Sequence, residues 1–192
     1  LLLRSGALPT ELSIVEERTI GPDLGADSIQ SGTISLIVGF ILVILYMIFK
    51  YRTFGLVANI SLIANLFMLT GILTILEVTL TLPGIAGIIL TVGMAVDANV
   101  LIFERIREEL KTEKSIIHAF DSGFRKAKIT VLDANITTLI AASLLFFFGS
   151  GPVKGFAVTL GIGILTTLYS AYFISRHLSS ILVRRDNPFI LK

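Results

Sequence analysis

The chain has no cysteine, no tryptophan and only two histidines among its 192 residues. Without cysteine there are no disulfides and no thiolate metal sites, and His118 and His177 lie too far apart in sequence for ligand spacing. Both histidines are expected at a membrane surface, and neither a metal nor a cofactor is expected. Charge is also scarce: 16% of residues carry it, and the net charge is only +2. The basic residues are scattered between apolar runs and form no aromatic-interleaved face, so no nucleic-acid partner is expected. The segment Gly149-Ser150-Gly151-Pro152-Val153-Lys154-Gly155 has the composition of a phosphate loop without its spacing, and reads as a tight interspan turn. With no nucleophile–base set either, a soluble-type enzyme is not expected. No solenoid-period repeat or low-complexity tract is visible.

What the chain does have is apolar length. Apolar residues make up 54% of it and the mean hydropathy is +0.87, well above an ordinary soluble domain. A bilayer core of ~30 Å needs ~20 apolar helical residues, because lipid cannot pair exposed backbone groups. Five stretches meet that requirement: 28–49, 53–76, 83–103, 129–148 and 155–175. The expected fold is an all-α integral membrane bundle of about five spans, occupying 28–185. Pro83 suits a first helical turn, where its missing N–H costs nothing. Tyr169 and Tyr172 are placed to anchor the last span at an interface.

Residues 1–27 are too polar to span. Leu12-Ser13-Ile14-Val15 and Arg18-Thr19-Ile20, ending in Gly21-Pro22, read as a short β-type tail of an extracytoplasmic domain. Because the sequence begins at Leu1 without a signal pattern, it is expected to be the C-terminal part of a longer polypeptide. Only Arg4, Arg18 and Lys154 of the sixteen lysines and arginines fall on one side of the alternating layout, leaving thirteen on the other. Cytoplasmic loops retain such an excess, so the N-terminal segment is expected outside and the tail 186–192 inside. The charged segment 104–128, with Ile116, Phe120, Phe124 and Ala127 at helical spacing, predicts amphipathic helices on the cytoplasmic surface. Pairs such as Arg105–Glu109 and Asp121–Arg125 read as solvated helix support.

An ionised carboxylate at the bilayer centre costs roughly 2.5–3.5 kcal/mol on insertion scales, so one found there calls for a use. Asp97 lies ~9 Å inside the charged boundary of the third span, counting back from Phe103, and Asp133 lies ~6 Å inside the same boundary of the fourth. The two share a depth and would face each other if their helices pack side by side. Close approach would then raise at least one pKa, which is the basis of proton exchange. Asn135, Thr137 and Thr138 supply polar atoms beside them, as do Asn59 and Asn65 in the second span. Each of these also serves as ordinary helix-packing glue. Gly84, Gly87, Thr91, Gly93, Ala95 and Ala98 predict close helix approach around Asp97, as do Gly155, Gly161 and Gly163 in the fifth span.

The run from Gly93 to Glu109, Gly-Met-Ala-Val-Asp-Ala-Asn-Val-Leu-Ile-Phe-Glu-Arg-Ile-Arg-Glu-Glu, resembles the signature of the SecD family of bacterial protein export. Leu82-Pro83-Gly84-Ile85-Ala86-Gly87, Gly123-Phe124, Asp133-Ala134-Asn135-Ile136-Thr137-Thr138-Leu139-Ile140-Ala141-Ala142 and Leu3-Arg4-Ser5-Gly6-Ala7-Leu8-Pro9 extend the likeness over almost the whole chain. The resemblance implies a SecDF subunit of the resistance-nodulation-division superfamily, in the inner membrane. In that role it would use a proton or sodium gradient to promote translocation of unfolded secretory polypeptide. Implied partners are a SecF-like subunit, the Sec channel and membrane lipids. Asp97 matches the family's ion-coupling acid, and Asp133, Asn135, Thr137 and Thr138 a supporting polar motif.

Two other functions stay open at this stage. One is a small-molecule or lipid exporter of the same superfamily, since a membrane bundle alone does not define its cargo. The other is a non-conducting scaffold in which Asp97 is satisfied by a helix–helix hydrogen bond.

Overall fold

The computed structural model describes residues 22–112 and 115–183, with side chains from residue 29 onward. The β-type tail expected before Gly21-Pro22 and the C-terminal tail 186–192 lie outside the described residues. Among the described residues, five helices are long and apolar enough to cross a membrane. They are α1 (Pro22–Tyr51), α2 (Thr53–Ile75), α3 (Leu82–Glu109), α4 (Ile116–Phe148) and α5 (Pro152–Tyr169). A π-helical segment, Ser170–Ser175, carries α5 without a break into α6 (Arg176–Val183).

The connections follow from local chemistry. α1 begins at Pro22, six residues before the expected span, which suits proline's fixed φ at a helix start. Between α1 and α2 there is only Arg52, held at φ 49°. Gly55 permits this turn, because a Cβ there would collide with the Met47 carbonyl. Thr81 caps α3 by accepting from the Gly84 N–H at 3.2 Å, with Pro83 in the first turn. The turn expected at Gly149–Pro152 is present: α4 stops at Phe148, Gly151 takes φ 48°, and Pro152 starts α5.

α3 is the central element, touching α1, α2, α4, α5 and the π-helical segment. It runs parallel to α5 at very close range. Gly155 lies against Thr81, Gly87 against Thr159, and Gly163 against Thr91, so that in each pair a Cβ on the glycine would meet the threonine side chain. Ala98 is buried as expected. Gly93 is not part of this seam: nothing lies within 4 Å of the place its Cβ would occupy. It sits about 200° around α3 from Thr91, on another face. Gly161 likewise has only Leu139, at 4.0 Å. At the other extreme, α1 turns Ile34, Ile37, Val38, Ile41, Leu42 and Leu45 outward, as a lipid-facing helix would.

The charged segment 104–128 differs from expectation. It does not form separate helices on the surface. Residues 104–109 prolong α3, and 116–128 open α4, giving a helical hairpin that extends the bundle. The reason is packing: Ile106, Phe120, Phe124 and Ala127 are buried in one cluster with Phe103 and Ala171. Gly123 brings α4 onto the Ile106 backbone, where a Cβ would not fit. The Tyr51 hydroxyl donates to Glu104 at 2.9 Å, and Arg176 approaches Asp121 at 3.5 Å, so basic residues from several elements gather at one end.

Candidate functional site

A cavity of about 160 Å³ opens between α3 and α4, lined by Met94, Asp97, Ala98 and Leu101 from one helix and Val131, Ala134, Asn135 and Thr138 from the other. Leu82 to Asp97 is fifteen residues, so Asp97 stands ~22 Å along α3, well inside an apolar helix. Its side chain is on the surface of the isolated bundle, at the cavity. Asn135 is buried opposite and donates from Nδ2 to the Val131 carbonyl at 2.8 Å. Its Oδ1 is an acceptor of the kind that suits a cation or a protonated carboxyl. Thr138 donates to the Ala134 carbonyl at 3.0 Å, which leaves hydroxyl lone pairs available.

Of the residues singled out in the sequence, the structure brings Asp97, Asn135 and Thr138 together. Asp133 and Thr137 are exposed and do not line the cavity. Helical phase explains this: Asp133 is about 200° around α4 from Asn135, and Thr137 lies one turn above Asp133, donating to its carbonyl at 2.9 Å. Equal depth therefore did not produce a facing carboxylate pair.

Asn59 and Asn65 belong to a different polar region, on the far side of α3. Asn65 Nδ2 donates to Thr167 Oγ1 at 3.2 Å, and Ser61 Oγ donates to the Ser170 carbonyl at 3.0 Å, at the start of the π-helical segment. Asn59 Nδ2 donates to the Ile44 carbonyl of α1 at 3.2 Å. These bonds tie helices together, the packing role expected of them.

One cluster was not visible from sequence. Glu109, assigned to exposed helix support, is buried where α3 meets α4. It accepts from Lys126 at 2.7 and 2.9 Å, from Ser122 at 3.0 Å, and has Arg105 at 3.5 Å. Asp121 pairs with Arg176 across the bundle. The only sign in the sequence is the helical spacing of the apolar Phe120 and Phe124, whose burial in the structure shows this end packed rather than solvated. The histidines are exposed.

A central, glycine-seamed helix carrying a carboxylate within its apolar length, beside amide and hydroxyl groups from a neighbouring helix, defines a polytopic membrane helix bundle. Residues 5–185 match the family described as protein export membrane protein SecD/SecF, C-terminal, and the chain belongs to that family.

Among curated proteins it is 55% identical over 176 residues to the protein translocase subunit SecD of Magnetococcus marinus, covering 92% of this chain and 34% of that protein. It is 56% identical over 183 residues to that of Desulfurispirillum indicum, covering 95% and 36%. The crystal structure of SecDF, a translocon-associated membrane protein from Thermus thermophilus, superposes with a TM-score of 0.87 at 46% identity, covering 96% of this chain and 26% of that one. The chain thus spans about a third of the length of the curated relatives it matches.

Proposed function

We propose that this bundle is the membrane portion of a SecD subunit in the inner membrane, coupling a proton or sodium gradient to the export of unfolded polypeptide. The observation that carries the proposal is the α3–α4 cavity, which is lined by Asp97 together with Asn135 and Thr138. Asp97 is the ion-coupling acid in this reading: an ion reaching it neutralises its charge and changes how α3 packs against α4. Asn135 and Thr138 supply neutral oxygens for a cation or hydrogen-bond partners for a protonated carboxyl. Asp133 and Thr137 have at most an indirect part.

The energetics are adequate for such a device. Moving one charge through the membrane field releases ~2.3 kcal/mol per 100 mV, enough to shift a two-state equilibrium severalfold or more. The end of the bundle that gathers Arg105, Arg107, Lys126 and Arg176 is cytoplasmic in this reading, by the positive-inside rule, and the Gly149–Pro152 turn periplasmic. A SecF-like subunit and the Sec channel are the working partners, with polypeptide handled by parts of the protein outside this chain.

The test is secretion by the full SecD–SecF complex in vesicles under imposed proton and sodium gradients, measured separately. Asp97→Asn is expected to abolish the gradient-driven part while the complex still assembles. Normal gradient-driven secretion by an assembled Asp97→Asn complex overturns the reading.

A further inference from the structure

Another cavity, of about 440 Å³, lies between α4 and α5 and is open to the outside of the bundle. Its floor is made of small residues: Ala142 and Ala157 are buried there, and Gly161 lies between its walls. Those walls are large, apolar and turned outward, with Phe146 and Phe147 on α4 and Leu165 on α5. Ser143 is the one polar side chain in the lining, and its hydroxyl donates to the Leu139 carbonyl of its own helix at 2.8 Å. The groove therefore offers hydrocarbon contact and no free donor.

Gly161 has a different part here from its neighbours. Gly155 and Gly163 of α5 each meet a threonine at close range, whereas a Cβ at Gly161 would meet only the tip of Leu139, at 4.0 Å. Close helix packing is not what this glycine serves. It keeps a trough open, and in a bilayer such a trough is filled by hydrocarbon, because an empty one forfeits dispersion contacts along its lining.

Helix periodicity places a cation at the head of the trough. Positions 154, 158, 161 and 165 of α5 recur every three or four residues and so share one face. Lys154 is the third residue of the helix and is exposed. From Lys154 to Leu165 the stripe covers ~16 Å, about half of a ~30 Å hydrocarbon core and so the depth of one leaflet. From the end of α2, Leu76 also lines the groove and is followed by Glu77, exposed and held at φ 52°. Of the side chains described at this end of the bundle, only Glu77 and Lys154 are charged. They do not pair with each other: the ion pairs among the described residues lie at the opposite end.

We propose that the α4–α5 groove binds a phospholipid with a primary-amine headgroup, of the phosphoethanolamine type. One acyl chain lies along Ala142, Ala157 and Gly161. The Lys154 ammonium meets the phosphate, and the Glu77 carboxylate meets the headgroup ammonium. An anionic headgroup satisfies Lys154 but is repelled by Glu77. A quaternary amine has the right charge and lacks the N–H donors that the carboxylate accepts from. The site requires only that these helices span a bilayer, and it is independent of the coupling role of Asp97.

The test uses the full SecD–SecF complex in phosphatidylcholine vesicles doped with one photoreactive lipid, which carries a diazirine on its acyl chain. Its headgroup is phosphoethanolamine, phosphocholine or phosphoglycerol, and labelled peptides are quantified by mass spectrometry. Residues 139–147 and 157–165 are expected to take severalfold more label from the phosphoethanolamine probe than from the other two. The rest of the apolar surface of the chain should show no such preference. Lys154→Gln is expected to lower groove labelling by all three probes, and Glu77→Gln to bring the phosphoethanolamine probe down to the phosphocholine level. Gly161→Leu, which the open space around Gly161 admits, should remove groove labelling by every probe. Unchanged labelling of the remaining surface, in an assembled complex, shows that each variant is folded.

Equal groove labelling by the phosphoethanolamine and phosphocholine probes overturns the headgroup site, and so does a preference for the phosphoglycerol probe. A groove unlabelled by every probe, while the surrounding surface labels, is covered by protein and overturns the lipid altogether. Undiminished labelling after Gly161→Leu places the acyl chain outside the trough and overturns the proposal as well.

Discussion

Asn135 of α4 lines the cavity that holds Asp97 of α3, whereas Asp133, two residues earlier on the same helix, does not. A helix turns about 200° in two residues, so the polar motif on α4 is divided between two faces. Gradient-driven secretion should divide in the same way. Asn135→Leu, which removes the amide from the cavity that Asp97 lines, is expected to depress it strongly, and Asp133→Asn to leave most of it. Equal losses from the two variants, at equal levels of assembled complex, would show that depth rather than face decides.

The α3–α5 seam gives a second contrast. Thr91 fills the space where a Gly163 Cβ would go, while Gly93 has open space around it. Gly163→Ala is therefore expected to overpack the seam, at a cost of ~1–3 kcal/mol. Gly93→Ala should be neutral or stabilising by up to ~1 kcal/mol, the gain of alanine over glycine in a helix. Adding Thr91→Ala, which removes both the hydroxyl that a Gly163 Cβ would meet first and the methyl group beside it, should return part of the Gly163→Ala loss. Thermal midpoints of the purified complex in detergent order the three variants.

How much of this was legible in the sequence depended on which physical constraint was strongest. The spans were, because lipid forces every backbone polar group into a helix and so fixes run length. The turn at Gly149–Pro152 was too, since a helix-stopping glycine pair with a following proline admits few conformations. Asp97 stood out because a carboxylate in an apolar run is costly. Its partner did not, because depth can be counted from a boundary but rotation about α4 cannot: both Asp133 and Asn135 were at the right level, and only the packing of α3 selects between them. Gly93 was misjudged for the same reason. Glu109 was hidden because an i,i+4 pair with Arg105 has the look of a solvated surface, and its true partner, Lys126, is seventeen residues away.

That hairpin pair is testable in its own right. Glu109 is buried and Lys126 is about half exposed, so loss of the lysine leaves a carboxylate with Ser122 as its nearest donor. Lys126→Met is expected to lower the thermal midpoint by a few degrees. Lys126→Met combined with Glu109→Leu should lose less than the sum of the single variants, because the stranded charge is gone. Strict additivity would mean that the two side chains do not interact in solution.

The bonds between α2 and the last helix reach the π-helical segment, a type of irregularity frequent at functional sites. Ser61 donates to the Ser170 carbonyl and Asn65 to Thr167, both inside the bundle. Interhelical hydrogen bonds of this kind contribute ~0.6 kcal/mol on average, so Ser61→Ala and Thr167→Val should each cost about that much stability. If the segment is only a static join, secretion should follow the fraction of complex assembled and change little. If it rearranges during the ion cycle, Ser61→Ala should alter the secretion rate at constant assembly, because the Ser170 carbonyl then loses the partner that holds one of its arrangements. The second outcome is expected, since α3 contacts this segment directly and carries Asp97. Secretion rate per assembled complex, compared between Ser61→Ala and Thr70→Ala, separates the two. Thr70 bonds only to its own helix at Leu66 and Phe67, and so provides a control with the same hydroxyl removed.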